Sequence, residues 1–212
     1  MEIDAVVFDI LGTLVDEPAG IRAAVRQAAP DADADELVER WLEHVGTEQR
    51  RIVAGERPYV ASDVLDREAA QSDALATAGR RMPPWPDTVE GLTRLAGQYP
   101  LIGLSNASRT TLLRMNAYAG LRWHQALSAE EVRSYKPDPA VYELAVKVSG
   151  ASPERLLMVA AHAWDLRGAQ SVGLRTAYVA RPIGDPPSAT DRFDFHAEDL
   201  ADLAVQLGKH GT

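Results

Sequence analysis

Reactive side chains stand at or just beyond the ends of several apolar segments. Asp9 follows the run "VVF", Ser105 and Asn106 follow "LIGL", and Lys136 and Asp165 come later in the chain. Because the carboxyl ends of parallel strands meet at one edge of a sheet, we expect these groups to converge there. Carboxylates, an ammonium and a hydroxyl would form a reactive site, although these residues alone leave its chemistry open.

Each of these residues also has an ordinary structural interpretation. An aspartate at a strand end is commonly a helix cap or a turn residue. Ser105 could begin a turn, Lys136 precedes a proline and could lie in a solvated loop, and Asp165 could cap the next helix. Their coincidence on consecutive predicted strands favours the functional interpretation.

Apolar segments of strand length alternate with helical patterns. The strand-like segments are residues 3–8, 101–105, 155–161 and 175–180. Such segments are typical of strands that are covered on both faces. A capping box of Asp87 and Glu90 predicts a helix that buries Val89, and Asp138 before Pro139 predicts another. The alternation predicts an α/β fold with a doubly wound parallel sheet.

Residues 17–81 differ from the rest of the chain. They contain helical patterns and little strand pattern, including one amphipathic stripe formed by Leu37, Val38, Trp41, Leu42 and Val45. The proline-rich run "RRMPPWP" closes the segment. We therefore predict a core domain of residues 1–16 and 82–212, with a helical cap of residues 17–81 inserted after the first strand.

The composition limits the classes of function. The chain has 212 residues, a formal net charge of −9 and no cysteine. An acidic chain is poorly suited to binding nucleic-acid phosphates, and the lack of cysteine excludes disulfides, thiolate nucleophiles and Cys-ligated zinc. We see neither a signal peptide nor an apolar run of membrane-spanning length. We expect a cytoplasmic protein that binds neither nucleic acid nor membrane.

Four motifs together resemble the haloacid dehalogenase superfamily. They are "FDILGTL", "LSNAS", "SYKPDPAVYELA" and "MVAAHAWDLRGA", in that superfamily's order and spacing. The motifs look most like the L-2-haloacid dehalogenase branch, and the helical insertion is similar to the superfamily's cap. The resemblance covers nearly the whole chain. It implies a hydrolase, and it also admits a homodimer, since dehalogenases of this branch are commonly dimers.

The resemblance assigns catalytic roles to residues of the motifs. Asp9 would be the nucleophile, since an aspartate with a pKa of about 3.9 is ionised at neutral pH without a base. Lys136 would hold the Asp9 carboxylate and offset its charge. Ser105 and Thr13 would orient that carboxylate and the substrate, and Asp165 would position Lys136 or help to activate water.

Other matching positions would bind the substrate. Asn106 and Tyr142 match positions near the substrate and its leaving group, and Trp164 would form an apolar wall. His162 has two open interpretations: a packed histidine bonded to a backbone carbonyl, or a general base for ester hydrolysis.

Three residues depart from the patterns of the superfamily. Leu11 stands where phosphatases carry a general-acid aspartate and dehalogenases a tyrosine, and Ala161 stands where phosphatases carry a metal ligand. Both changes disfavour magnesium, so we expect no cofactor and no metal ligands. Leu42 follows Trp41 where the dehalogenase branch usually has an arginine for the substrate carboxylate.

These observations favour a metal-independent hydrolase that attacks an sp3 carbon of a small anionic substrate, a 2-haloalkanoic acid by default. Two alternatives stay open. One is a divergent phosphatase of the same superfamily, and the other is a catalytically silent relative that binds a metabolite or a partner protein.

Overall fold

The computed structural model describes residues 2–70, 72, 75 and 77–209. Its centre is a parallel sheet in the order β3–β2–β1–β4–β5–β6. The strands are β1 (Ala5–Phe8), β2 (Leu101–Ser105), β3 (Gln125–Ser128), β4 (Leu156–Ala160), β5 (Arg175–Val179) and β6 (Phe195–Ala197). The predicted doubly wound α/β fold is confirmed.

The helices of the described residues are α1 (Glu17–Ala28), α2 (Ala34–Val53), α3 (Ser62–Ala70), α4 (Thr88–Ala96), α5 (Arg109–Ala119), α6 (Pro139–Ser149), α7 (Ala163–Ser171) and α8 (Leu200–Gly208). The last five cover the two faces of the sheet. Val6 and Phe8 of β1 pack with α4, α5 and α8, whereas Ala5 and Val7 pack with α6 and α7. Successive residues of a strand point to opposite faces, so a strand covered on both sides must be apolar throughout.

The apolar segments of the sequence became strands within one or two residues of their predicted ends. Two short strands, β3 and β6, were not predicted. The first two residues of β3, Gln125 and Ala126, are exposed, and β6 is only three residues long. Neither strand therefore carries the long, mostly apolar pattern by which the four central strands were predicted.

The helix after Asp87 forms, but the predicted capping box is wrong. The Asp87 side chain makes no capping hydrogen bond. It accepts hydrogen bonds from the Arg181 guanidinium at 2.9 and 3.0 Å and from the Leu200 amide at 2.9 Å. The ion pair with Arg181 takes the carboxylate away from its own helix. Val89, which we expected to be buried, is exposed.

The described part of residues 17–81 contains α1, α2, α3 and a short 3-10 turn at Ala78–Arg80, and no strand. Its apolar side chains form a cluster of their own around Val25, Val38 and Trp41. Leu37, Leu42 and Val45, the other members of the predicted stripe, lie at the edge of this cluster. We propose that this segment is the cap and that residues 1–16 and 82–212 are the core domain.

Hydrogen bonds join the cap to the core around the carboxyl ends of the strands. The Ser108 amide donates to Ser62 Oγ at 2.7 Å, and the Tyr135 hydroxyl donates to the Val60 carbonyl at 2.8 Å. No helix in the described residues is both long and apolar enough to cross a bilayer.

Candidate active site

A buried lysine joins two carboxylates at the carboxyl edge of the sheet. Lys136 Nζ donates to Asp9 Oδ1 at 2.9 Å and to Asp165 Oδ2 at 2.8 Å. Asp9 directly follows β1, Lys136 lies in the loop before α6, and Asp165 lies in the first turn of α7. Residues separated by up to 156 positions in the sequence therefore meet, as the parallel topology predicts.

The second oxygen of Asp9 is held by Thr13. Thr13 Oγ1 donates to Asp9 Oδ2 at 2.6 Å and accepts from the Ala161 amide at 2.9 Å. The hydroxyl is fully buried, so this donor-and-acceptor arrangement fixes its proton toward Asp9. Each carboxylate oxygen of Asp9 accepts one bond, which leaves lone pairs free on both.

Burial and charge act in opposite directions on this cluster. Burial disfavours the Lys136 ammonium, but the carboxylates of Asp165 and Asp9 outweigh it and raise the pKa of Lys136. Burial raises the pKa of Asp165 above its usual range, and the Lys136 ammonium opposes that rise. With donors on both Asp165 oxygens, we treat Asp165 as ionised within this cluster.

Tyr142 and Ser105 lie close to this cluster but make contacts that differ from our expectations. Tyr142 is fully buried beneath Asp165, and its hydroxyl donates to Asp165 Oδ1 at 2.7 Å. It therefore supports Asp165 and does not face the substrate space. Ser105 Oγ accepts from the Ala107 amide at 3.1 Å, as a turn residue does, and makes no described bond to Asp9.

A cavity of about 170 Å³ lies above Asp9, between core and cap. The predicted residues that line it, besides Asp9 and Lys136, are Leu11, Leu42, Asn106, His162 and Trp164. Ser105, Thr13, Asp165 and Tyr142 are packed behind the lining. The volume admits only a small substrate.

Asn106 links the cavity to the cap. Its amide Nδ2 donates to Gln49 Oε1 of α2 at 3.0 Å, and its Oδ1 accepts from the Lys136 amide at 2.9 Å. Asn106 thus positions the loop that carries Lys136 while it also faces the cavity.

His162 lies directly over Gly12. The Nε2 atom of His162 lies 3.2 Å from the Leu11 carbonyl, and since a carbonyl only accepts, Nε2 carries a proton in this contact. Gly12 has φ +77°, and a Cβ at this position would lie 2.5 Å from His162 Nε2. His162 therefore has the carbonyl contact of a packed histidine and also borders the cavity, with Nδ1 available as an acceptor.

Two carboxylates of the lining were not predicted as site residues. Glu17 begins α1, and Asp66 lies in α3, and both side chains border the cavity. Burial raises the pKa of Asp66 to about 6, against the lowering effect of the Trp41 Nε1 hydrogen bond. Glu17 lies three residues beyond the motif "FDILGTL", and this short separation is a sequence signal for its proximity to Asp9. Asp66 carries no such sequence signal.

The residues around Asp9 do not fit a magnesium ion. Leu11 and Ala161 supply no ligand oxygen from their side chains, and the Lys136 ammonium occupies the space between Asp9 and Asp165. Magnesium prefers an octahedral shell of oxygen ligands. Among the described residues, no group of three or more histidine, aspartate or glutamate side chains is placed to hold a metal.

Comparison with known proteins agrees with this geometry. Residues 3–173 match the family model described as haloacid dehalogenase-like hydrolase. The chain is similar to (S)-2-haloacid dehalogenase 4A of Burkholderia cepacia, with 26% identity over 98% of this chain and 96% of the relative. It is also similar to an (S)-2-haloacid dehalogenase of Pseudomonas putida, with 29% identity over 86% of each.

Solved structures show the same likeness across core and cap. The structure of an L-2-haloacid dehalogenase superposes with a TM-score of 0.89 at 32% identity, over 97% of this chain and 99% of the other. A defluorinating L-2-haloacid dehalogenase gives 0.89 at 34% identity, over 97% and 95%. The chain therefore belongs to the haloacid dehalogenase-like hydrolase family.

Proposed function

We propose that the protein is a metal-independent hydrolase in which Asp9 attacks a saturated carbon of a small organic halide. The observation that carries this proposal is the Asp9 carboxylate at the bottom of the cavity, held by Lys136 and Thr13. Lys136 offsets the negative charge, and Thr13 orients the second oxygen. The names of the similar proteins support a 2-haloalkanoic acid as the substrate class.

In the first step an Asp9 oxygen forms a bond to the carbon, and the carbon–halogen bond breaks. The halide leaves with the bonding electron pair, and an aspartyl ester remains. Leu11 offers no proton to a leaving group, which suits a halide because a halide is stable as a free anion. A phosphate ester, in contrast, needs protonation of its leaving oxygen.

In the second step water attacks the ester carbonyl carbon of Asp9, and the bond from that carbon to the ester oxygen, which came from Asp9, breaks. A general base takes one proton from the water and passes it to the departing oxygen, so the product leaves as an alcohol. The second proton goes to solvent, and Asp9 returns as a carboxylate with one oxygen from solvent. We assign His162 as the general base, acting through Nδ1, because its Nε2 is oriented by the Leu11 carbonyl. Asp165 is buried behind Lys136 with both oxygens engaged, which suits a positioning residue.

The test is isotope incorporation into Asp9. A single turnover of 2-chloropropionate in ¹⁸O water, with a chelator present, should place one heavy oxygen on the Asp9 carboxylate. Peptide mass spectrometry reads this label, and Asp9→Asn should show neither label nor halide release. His162→Gln should still release halide but accumulate the ester. If the unmodified enzyme releases halide without labelling Asp9, the nucleophile assignment is wrong.

Two further assays separate the alternatives. Magnesium-stimulated phosphate release from an aryl phosphate would indicate the phosphatase. A protein that binds 2-chloropropionate, measured as a rise in melting temperature, but releases no halide would be the silent relative.

A further inference from the structure

Within the described residues, the cavity offers no free lysine or arginine to a substrate carboxylate. Its acidic groups are Asp9, Glu17 and Asp66, and its basic groups are Lys136 and the imidazole of His162. Lys136 Nζ is already bonded to Asp9 and Asp165. No arginine lines the cavity within the part of the chain that the structure describes. A carboxylate entering this space must find another strong donor.

Arginines that are near Leu42 in sequence point elsewhere. Arg40 borders a separate surface hollow together with Glu43 and Glu68. The Arg50 guanidinium donates to Thr47 Oγ1 at 2.9 Å on its own helix. Leu42 itself faces the cavity, so the missing charge at its position is not replaced from the neighbouring turns of α2.

Glu17 is the carboxyl group of the cavity that lacks a donor. Asp9 accepts from Lys136 and Thr13, and Asp66 accepts from Trp41. Glu17 makes no described side-chain hydrogen bond or ion pair. Carboxylates that share an enclosed space cannot all ionise, because each raises the energy of the next charge. Of these three carboxyl groups, Glu17 is therefore the one that keeps its proton.

The acid–base properties of Glu17 agree with this placement. Burial, followed by the charges of Asp66 and Asp9, raises the pKa of Glu17 to about 8. Asp16 caps α1 and holds Glu17 in its first turn, where the partial positive charge of the helix end favours the anion. The net direction is nevertheless upward, so Glu17 is largely protonated at neutral pH.

We propose that Glu17 recognises the substrate carboxylate as a neutral carboxylic acid and donates the hydrogen bond that an arginine at position 42 would otherwise supply. This inference rests on the proposed function, since it concerns the acid group of the same substrate. Substrate and proton then bind together: when Glu17 is ionised in the free enzyme, binding takes up one proton from solvent. Recognition of the acid is therefore lost in alkaline solution.

The test is the binding of propionate, which carries the acid group without a leaving group. Isothermal titration calorimetry at about pH 6.5 and about pH 9.5 should show a dissociation constant that is roughly 30-fold larger at the higher pH. At the higher pH, two buffers of different ionisation enthalpy should report an uptake of about one proton. Propionamide, an uncharged analogue, should bind weakly at both pH values.

Matched variants assign this pH dependence to Glu17. Glu17→Gln keeps a neutral donor, so its dissociation constant should change less than about threefold over the same range. Glu90→Gln, also in the first turn of a helix but exposed, should keep the full dependence of the unmodified enzyme. Leu42→Arg adds a permanent cation to the cavity and should also flatten the dependence. It serves as the second variant if Glu17→Gln does not fold.

The outcomes of the two tests are distinguishable. Propionate affinity that does not fall with pH, or a fall that Glu17→Gln preserves, overturns the role of Glu17. Propionamide binding as tight as that of propionate overturns it as well and indicates uncharged halides as substrates. The proposed chemistry is judged separately by ¹⁸O in Asp9. If the label is absent while the Glu17-dependent binding is present, the hydrolase proposal fails and the carboxylate site remains.

Discussion

The floor and the wall of the cavity differ in whether their charged groups are paired. The floor, formed by Asp9, Thr13, Lys136 and Asp165, is buried, and its carboxylates and ammonium are joined by bonds of 2.6 to 2.9 Å. The wall, formed by Glu17, Leu42 and Asp66, contains two carboxylates and no cation. The floor belongs to the core strands and their loops, whereas the wall belongs to the cap.

This difference separates the residues that we propose to carry the reaction from those that we propose to bind the substrate. A buried polar network is stable when every member has a partner, so the floor holds one arrangement with the Asp9 carboxylate oriented. The carboxyl groups of the wall have no cation beside them, and the protonation state of Glu17 follows the pH and the occupant of the cavity. Under the proposed function, the reaction type is a property of the floor, and the choice of substrate is a property of the wall.

The largest expected loss of stability follows from removing Lys136, the cation of the floor. Lys136→Met would leave the carboxylates of Asp9 and Asp165 buried without a cation, which costs about 3–5 kcal/mol in the free energy of unfolding. Urea denaturation measures this loss. Lys147→Met, on the exposed side of α6, should stay within about 0.5 kcal/mol of the unmodified protein. A loss below about 1 kcal/mol for Lys136→Met would show that the floor is not a tightly paired network.

A second substitution tests the close packing of His162 on Gly12, beside the floor. Gly12→Ala and Gly55→Ala both place an alanine at positive φ, +77° and +75°, which costs about 1–2 kcal/mol. Only Gly12 has a neighbour, His162, within 2.5 Å of the new Cβ. We expect Gly12→Ala to lose a further 1–3 kcal/mol or so, because of overpacking, by urea denaturation. Equal losses in the two variants would mean that His162 moves aside freely.

The hydroxyl of Thr13 should contribute less to the free energy of unfolding than the charge of Lys136 does. Thr13→Val leaves the Ala161 amide without its acceptor and removes one donor from Asp9, at a cost of about 1–3 kcal/mol in thermal unfolding. Thr13→Ser should recover most of this loss. Thr93→Val, whose hydroxyl donates to a carbonyl on an exposed helix face, is the control and should change stability little. If Thr13→Val is neutral, the orientation of Asp9 does not depend on this bond.

The effect expected at the wall has the opposite sign. Because the folded-state pKa of Glu17 lies above its ordinary value of 4.5, the free energy of unfolding should fall as the pH rises from 4.5 to about 8. Glu17→Gln removes this fall and should stabilise the protein by several kcal/mol at about pH 9, since each pKa unit corresponds to about 1.4 kcal/mol, with little change near pH 4.5. Melting curves of both proteins over this range measure the difference. A constant difference at all pH values would contradict an unpaired Glu17.

Most of the floor was predictable because it depends on local patterns. Asp9 ends an apolar strand, and Lys136 and Asp165 belong to motifs whose strand order brings them to the same sheet edge. The contacts of Ser105 and Tyr142 were not predictable, because the direction of a side chain near a site depends on its neighbours. Ser105 satisfies the Ala107 amide, and Tyr142 supports Asp165 from behind.

The sequence by itself determined the four central strands and the family, and it predicted the residues that we propose to carry the reaction, because strand periodicity and four motifs are local properties. Only the tertiary structure added the carboxylates of the wall. Asp66 and Glu17 lie 49 positions apart, yet α2 packs against both α1 and α3, and both carboxylates border one cavity with Asp9. Which of these carboxylates keeps its proton depends on burial and on unpaired neighbours, and both are consequences of how the chain folds.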